Sequence, residues 1–298
     1  MRTLILGSTG MVGSALTRRL KQQNTTLLLP THDELNLLNY TEVYDYFLTH
    51  HPQRVYMAAG LVGGIQANLD RPTEFFTENM AMAMNVMRSA CLTNVQRLMY
   101  FGSSCAYPVS KADGAIPSDL LTGPIEPSNE AYGLAKATAC RLATYYHDQY
   151  GCDFRAVMPC NLYGLGDNYH PRNSHVVAAL VRKFVEAPKD GEVEVWGNGD
   201  AKREFLYVDD LAEAAIELME KPEWFSLRNV GSGHATSIRY LVNTLAEITE
   251  FTGKIRWQSD KPVGTPVKVM GGPETWQLTT LRKGLEWTVN HYRKSIGM

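Results

Sequence analysis

The sequence predicts an α/β fold: a doubly wound parallel sheet of the Rossmann type, with helices on both faces and a smaller C-terminal lobe. Three observations carry that reading. A glycine-rich turn, Gly7-Ser8-Thr9-Gly10-Met11-Val12-Gly13, separates an apolar run from a helix-spaced one. Strand-like and helix-like segments then alternate as far as Met158, which calls for crossover connections and hence a parallel sheet. Beyond Pro159 the alternation loosens, as it does when a chain leaves a sheet to build a second body.

Taken in order, Thr3–Gly7 reads as a strand that stops at glycine, and Met11–Gln22 as the helix after it. Thr26–Leu29, Arg54–Ala58, Arg97–Phe101 and Phe154–Met158 are further strands, with helices over Thr41–His50, Pro72–Leu92 and Ala131–Tyr150. Ser174–Glu186 is helical and Glu192–Trp196 a strand. Val208–Met219 is a helix with Asp209 and Asp210 as favourable first-turn charges. Arg228–Val230 returns to the sheet. Ser237 is an N-cap for a helix to Thr249, Lys254–Gln258 is a short strand, and Leu278–Lys294 is the last helix. The expected division is a dinucleotide-binding domain over 1–165, with return segments near 204–232, and a substrate lobe over 166–298.

Composition narrows the partners. The chain has 298 residues, 44% hydrophobic and 10% aromatic, enough for a full core. The formal net charge is −2 with lysine and arginine scattered, which argues against a nucleic-acid face. The first apolar run is too short for a signal peptide and no stretch reaches membrane-spanning length. The sequon at Asn24 then carries no meaning. Five cysteines with no CxxC spacing fit a reduced, cytoplasmic thiol set without disulfide or metal.

The glycine turn at a strand–helix junction suits a pyrophosphate, because backbone amides approach it at the positive end of the helix. The alternative is a turn without ligand. Tyr132 and Lys136 lie about one turn apart on a helix face, where a neighbouring ammonium would favour the phenolate; alone, such a pair is an ordinary helix surface. Ser103 ends the fourth strand, at the sheet edge where ligands bind, and its hydroxyl can orient a carbonyl. Cys105 lies just beyond it, a thiol with ordinary pKa about 8.5. Cys91, Cys140, Cys152 and Cys160 are expected to be small buried hydrophobes.

These motifs resemble the extended short-chain dehydrogenase/reductase family and, more narrowly, its GDP-L-fucose synthases. The narrower likeness rests on Gly63-Gly64-Ile65, on Gly102 to Pro108, on Pro127 to Tyr132, on Pro159 to His175, on Val195-Trp196-Gly197 and on Arg203–Asp210, and covers residues 1 to about 268. It implies 3,5-epimerisation and 4-reduction of GDP-4-keto-6-deoxy-D-mannose, with Ser103, Cys105, Tyr132, Lys136 and His175 catalytic. It places Gly7 to Gly13, His32, Ala58, Ala59, Gly60, Tyr132, Lys136, Pro159, Asn161, Leu162 and His175 at the nicotinamide dinucleotide. Ser103, Asn161, Lys183, Trp196 and Arg203 would meet the GDP-sugar. Taken alone, Trp196 equally fits core filling, and Arg203 an ion pair with Glu204 or Asp209. Relatives dimerise through the helices that correspond to Pro72–Leu92 and Ala131–Tyr150, so a homodimer is expected. Met80, Met84 and Met87 fit either that face or the core.

The chain also departs from the family. Thr9, Pro30 and His32 stand where arginines hold the 2′-phosphate of NADPH, so NADP(H) is expected with NAD(H) open. Arg18 or Arg19 could replace those arginines or simply face solvent. Asn39 stands where an aspartate is often found near adenine. Leu61 replaces a usual lysine, and Val269-Met270-Gly271-Gly272 replaces a segment with a substrate-binding aspartate. A sister substrate, a dideoxy sugar or a heptose on GDP, is the alternative; a non-catalytic nucleotide sensor is a lesser one.

Overall fold

The computed structural model describes residues 1–23, 25–171, 174–259, 265–270 and 276–298. Asn24 and Asn173, as well as Gly271 and Gly272, fall outside the described residues.

The chain begins β1 (Arg2–Leu6), α1 (Met11–Leu20), β2 (Thr26–Leu28), α2 (Tyr40–His50), β3 (Arg54–Met57), α3 (Ile65–Asp70), α4 (Pro72–Leu92) and β4 (Arg97–Phe101). It continues β5 (Asp113–Ala115), α5 (Glu130–Tyr150), β6 (Phe154–Pro159), β7 (Asn161–Tyr163), α6 (Val176–Glu186), β8 (Glu192–Trp196) and β9 (Lys202–Tyr207). It ends α7 (Val208–Glu220), β10 (Leu227–Val230), β11 (Ala235–Ser237), α8 (Ile238–Thr249), β12 (Lys254–Gln258), β13 (Val267–Met270) and α9 (Leu281–Ser295).

Six strands form a parallel sheet in the order β10-β6-β4-β3-β1-β2. Its central strands are buried on both faces, so their runs are continuously apolar rather than alternating. The order reverses between β1 and β3, which opens a crevice at their C-terminal ends. Gly7 and Ala58 stand at that crevice.

A second core lies outside this sheet. Val177, Val181 and Phe184 of α6, Leu241 and Leu245 of α8, and Leu285 and Val289 of α9 pack around Tyr163 and Phe205. Between the two cores runs a second sheet in the order β11-β9-β13-β5, with β7 also paired to β9. Its strands come from residues far apart in sequence. Lys202–Tyr207 forms β9, an element the periodicity does not reveal, and α3, β5, β7, β11 and β13 are likewise too short to read.

Several local expectations change. Arg18 is ion-paired with Asp209, and Arg19 reaches Glu213 at 2.8 Å. Both arginines therefore tie α1 to α7. Asp210 is no simple first-turn charge, since its carboxylate accepts from the amide and hydroxyl of Thr279, both at 2.8 Å. Cys140 and Cys160 are buried as expected, whereas Cys91 and Cys152 are only partly so. Met87 is in the core, Met80 is half-buried and Met84 is exposed, so the three methionines do not share one surface. Among the described residues no helix is long and apolar enough to cross a membrane.

Candidate active site

The glycine turn is built for close approach. Gly7 has φ +79°, a left-handed value, and a Cβ there would sit 2.7 Å from the amide nitrogen of Ala59. A Cβ on Gly13 would lie 2.1 Å from the carbonyl oxygen of Gly7. Gly10 caps α1 without a side chain. The amides of Met11 and Val12 at that N-terminus therefore carry no side-chain cap, and the helix dipole is positive there. Ser8 and Thr9 flank this opening. The turn thus fits a dinucleotide pyrophosphate. Ala58, Ala59 and Gly60 leave β3 beside it, with the Ala58 amide bonded to the Leu6 carbonyl at 3.0 Å. His32, just past β2, is exposed, with the Asp33 carboxylate 4.0 Å from its ring.

The reaction residues gather where β4 ends and α5 begins. The Ser103 hydroxyl faces both the Tyr132 phenol and the Cys105 thiol and favours the charged form of each. It also accepts from the Cys105 amide at 3.3 Å. The approach of α5 to this turn depends on Gly133. A Cβ there would lie 2.6 Å from the Cys105 carbonyl oxygen and 2.8 Å from Ile125. A glycine inside the Tyr-x-x-x-Lys spacing thus brings Tyr132 beside Cys105. Tyr132 packs edge-on against Phe75 at 6.1 Å. Leu61 joins the same apolar cluster, and its backbone is held by the buried Asn79 amide.

Burial holds Tyr132 well above the ordinary phenol value, Cys105 raises it further, and the Ser103 hydrogen bond only partly opposes both. The expected lowering by Lys136 is therefore corrected. Burial pulls the Lys136 ammonium down to about 8. It donates to the Phe101 carbonyl at 2.9 Å and stands 5.8 Å over the Tyr132 ring rather than on its oxygen.

Cys105 behaves oppositely. Burial pushes its thiol up, but the Lys268 ammonium and hydrogen bonds from Ser103, Lys268 and Asn129 outweigh this and leave it below the ordinary value. The Nζ of Lys268 and the Nδ2 of Asn129 each lie 3.3 Å from its sulfur. Sequence reading missed both. Asn129 had a signal, lying in the stretch just before Tyr132. Lys268 had none, because only the pairing of β13 with β9 brings it here.

A pocket opens on this sulfur. Its walls include Ser104, Glu126, Asn161, Glu204 and Lys268. Asn161, in β7, donates to the Glu204 carbonyl at 2.9 Å, while Pro159 closes β6 and Leu162 pairs with Leu206. Glu204 is fully buried, and its carboxylate accepts from the amides of Gly233 and Met270 at 2.7 and 2.9 Å. It is thus turned away from Arg203, and Asp209 is taken by Arg18. Arg203 instead feels Cys105 and Glu126 across the pocket, although burial lowers its pKa overall.

The remaining expected residues lie on the second core. His175 caps α6, and the protein around it lowers its imidazole below the ordinary value although the ring reaches solvent. Lys183 donates to the Glu194 carbonyl at 2.7 Å. Trp196 is 58% exposed at the end of β8, so it is not core filling.

A nucleotide cradle at a sheet switch point, with a serine, tyrosine and lysine at the neighbouring strand end, defines a class. The chain belongs to the NAD dependent epimerase/dehydratase family, whose sequence model matches residues 3–230. It is 43% identical to the GDP-L-fucose synthase of Escherichia coli (strain K12) over 289 residues, covering 93% of this chain and 90% of that one. In structure it is similar to a GDP-6-OMe-4-keto-L-xylo-heptose reductase from C. jejuni, with TM-score 0.91, 27% identity, and 99% and 98% of the two chains covered. A GDP-mannoheptose C4 reductase from Campylobacter jejuni, solved with NADP bound, gives TM-score 0.87, 28% identity, and coverage of 98% of each chain.

Proposed function

We propose that this chain converts GDP-4-keto-6-deoxy-D-mannose to GDP-L-fucose, by epimerisation at C3 and C5 and reduction at C4. The observation that carries the reading is that Ser103 and Tyr132 neighbour Cys105, on whose sulfur the pocket opens. Reduction alone needs a proton donor and an oxygen-binding group. A thiol held below its ordinary pKa beside them supplies a base for carbon acids.

A keto group at C4 acidifies the protons on C3 and C5. The Cys105 thiolate takes one of these protons, and the C–H electron pair moves toward the keto oxygen. Hydrogen bonds from Ser103 and Tyr132 stabilise the charge growing there. His175 delivers a proton to the opposite face, and the pair returns to carbon with inverted configuration. Since its pKa lies below the ordinary imidazole value, His175 is mostly neutral at neutral pH and takes a proton from solvent before delivering it. Cys105 then releases its proton to solvent and His175 regains one, and the same steps repeat at the second carbon. When bound, the nicotinamide supplies the hydride for C4. Tyr132 gives its proton to the C4 oxygen; a phenol held above its ordinary value is protonated at every working pH, which suits a donor. Lys136 lies against Gly60, where it can meet the cofactor ribose. Arg203, Lys183 and the exposed Trp196 ring are assigned to the diphosphate and base of GDP, and Asn161 to the sugar.

NADPH is the proposed cofactor. Arg18 and Arg19 are committed to Asp209 and Glu213, so His32 and the backbone near Thr9 are left to meet a 2′-phosphate. The two-lobe division near residue 165, a homodimer through α4 and α5, and a cytoplasmic setting that keeps the thiols reduced belong to the same proposal. A sister GDP-4-keto sugar is the second reading, favoured by the apolar side chain that Leu61 adds to the Phe75–Tyr132 cluster beside Cys105.

The test is NAD(P)H oxidation by the purified chain with GDP-4-keto-6-deoxy-D-mannose, run with each cofactor. Turnover with epimerised product supports the proposal. No turnover with either cofactor overturns it, and faster turnover of a heptose or dideoxy analogue favours the second reading.

A further inference from the structure

We propose that Lys268 is a positioning residue for Cys105: its ammonium, reaching in from β13, holds the sulfur as a thiolate, and the Asn129 amide fixes the direction in which that thiolate points. The proposal deepens the functional reading above, since it rests on Cys105 as the base.

The geometry is specific. Lys268 Nζ and Asn129 Nδ2 reach the sulfur from different elements, each at 3.3 Å. Both are donors only, so a thiolate with several lone pairs satisfies them together, and a thiol with one proton of its own does so less well. Lys268 is not placed by chance. β13 pairs with β9 through Val267 and Lys268, and with β5 through Val269 and Met270. The Met270 amide is also held by the buried carboxylate of Glu204. Two strand pairings and one buried acid thus fix the backbone within two residues of the ammonium.

The charges around the sulfur point the same way. Lys268 stands opposite Arg203 in the parallel ladder, so two cations neighbour each other on adjacent strands, an arrangement that repels unless anions lie between. The anions available are the Cys105 thiolate and the Glu126 carboxylate, and Arg203 is coupled to both. Facing Cys105 from α5 is Tyr132, a neutral phenol, and Ser103 from the end of β4 adds a hydroxyl. Glu126 lines the same pocket and opposes the thiolate, while its carboxylate oxygens are engaged by Ser128 and Thr265. Glu204 faces backbone amides instead. Among the described residues no carboxylate pairs with Lys268, which leaves the sulfur as its partner.

The test is the pH profile of Cys105 alkylation by iodoacetamide, read on its own peptide by mass spectrometry to separate it from the other four cysteines. It needs neither substrate nor cofactor. The unaltered chain should react with a midpoint below the ordinary thiol value of about 8.5. Lys268→Met should move the midpoint up by about one unit, so that alkylation at neutral pH falls roughly tenfold. Lys268→Arg, which keeps the charge, should restore most of the reactivity. Asn129→Asp, which places a carboxylate at the sulfur, should raise the midpoint without touching Lys268, and it serves as the test if Lys268→Met fails to fold. A Lys268→Met profile that superimposes on that of the unaltered chain overturns the proposal, as does Lys268→Arg matching Lys268→Met, or Asn129→Asp causing no rise. Deuterium wash-in at C3 and C5 of the keto sugar is measured separately on the unaltered chain. If it is absent while the alkylation shifts stand, the functional reading fails and the Lys268–Cys105 pairing does not.

Discussion

The surroundings of Cys105 have two sides, and they treat ionisable groups in opposite ways. On the α5 side burial decides: Tyr132 is held neutral and Lys136 is drawn down to about 8, toward its neutral amine. On the side closed by β9 and β13, cations decide: Cys105 is half-buried and burial pushes its thiol up, yet Lys268 carries it toward the charged form. The sulfur and the phenol share Ser103 as a neighbour, so enclosure alone cannot explain the difference. What separates them is whether a partner of opposite charge arrives, and that partner comes from a strand that enters the sequence 163 residues later. One side prepares a proton donor and the other a proton acceptor, which is the pairing that epimerisation followed by reduction requires.

Substitutions on each side sharpen or break this contrast. The largest effect is expected for Tyr132→Phe, which removes the donor and should cut the reduction rate by about 10²- to 10⁴-fold, measured as NADPH oxidation; near-normal rates would remove the phenol from the chemistry. Cys105→Ser should abolish deuterium exchange at C3 and C5, while hydride transfer to the unepimerised ketone persists at a reduced rate. Gly133→Ala drives a methyl group into the Cys105 turn. A loss of about 1–3 kcal/mol by denaturant melting, with a fall in activity, is expected, and an unperturbed variant would show that the two sides need no close contact.

Lys136 gives a pH test. Its folded pKa is about 8 against an ordinary 10.5, so the folded chain binds fewer protons than the unfolded chain between those values. Stability should therefore rise with pH across that window, by up to about 3 kcal/mol. Lys136→Met should lack that rise, and identical stability profiles for the two chains would show that the ammonium is not strained by burial. The smallest structural effect belongs to Trp196→Ala: the ring is exposed, so the melting temperature should hold while KM for the GDP-sugar rises. A stability loss with unchanged KM would move Trp196 out of the binding surface.

The contrast between the sides also marks what the sequence makes legible. The six-stranded sheet can be read because its first three strands are each followed by a helix, and apolar runs such as Arg97–Phe101 and helices such as Pro72–Leu92 carry strong local signals. Tyr132, Lys136 and Ser103 stand on those elements. The β9–β13 side cannot be read that way. Its strands pair with partners distant in sequence, β13 is short, and Arg203 shows only as part of a motif. Lys268 lies next to a segment that departs from its relatives, and its importance comes from a register rather than a pattern. Glu204 is hidden for a similar reason, because only the backbone amides of Gly233 and Met270 explain a buried carboxylate there. Likewise, the lowered Tyr132 pKa expected from a nearby lysine fails because burial dominates the phenol, while the ammonium turns to the Phe101 carbonyl.

The central claim is that one pocket both inverts and reduces the same sugar. The direct measurement is the product formed from GDP-4-keto-6-deoxy-D-mannose and NADPH in deuterium oxide, resolved by NMR, for the unaltered chain and for Cys105→Ser. The account predicts an L-sugar carrying deuterium at both C3 and C5 from the unaltered chain, and neither label from the variant. Reduction by the unaltered chain without deuterium at either carbon, or full labelling by Cys105→Ser, contradicts it.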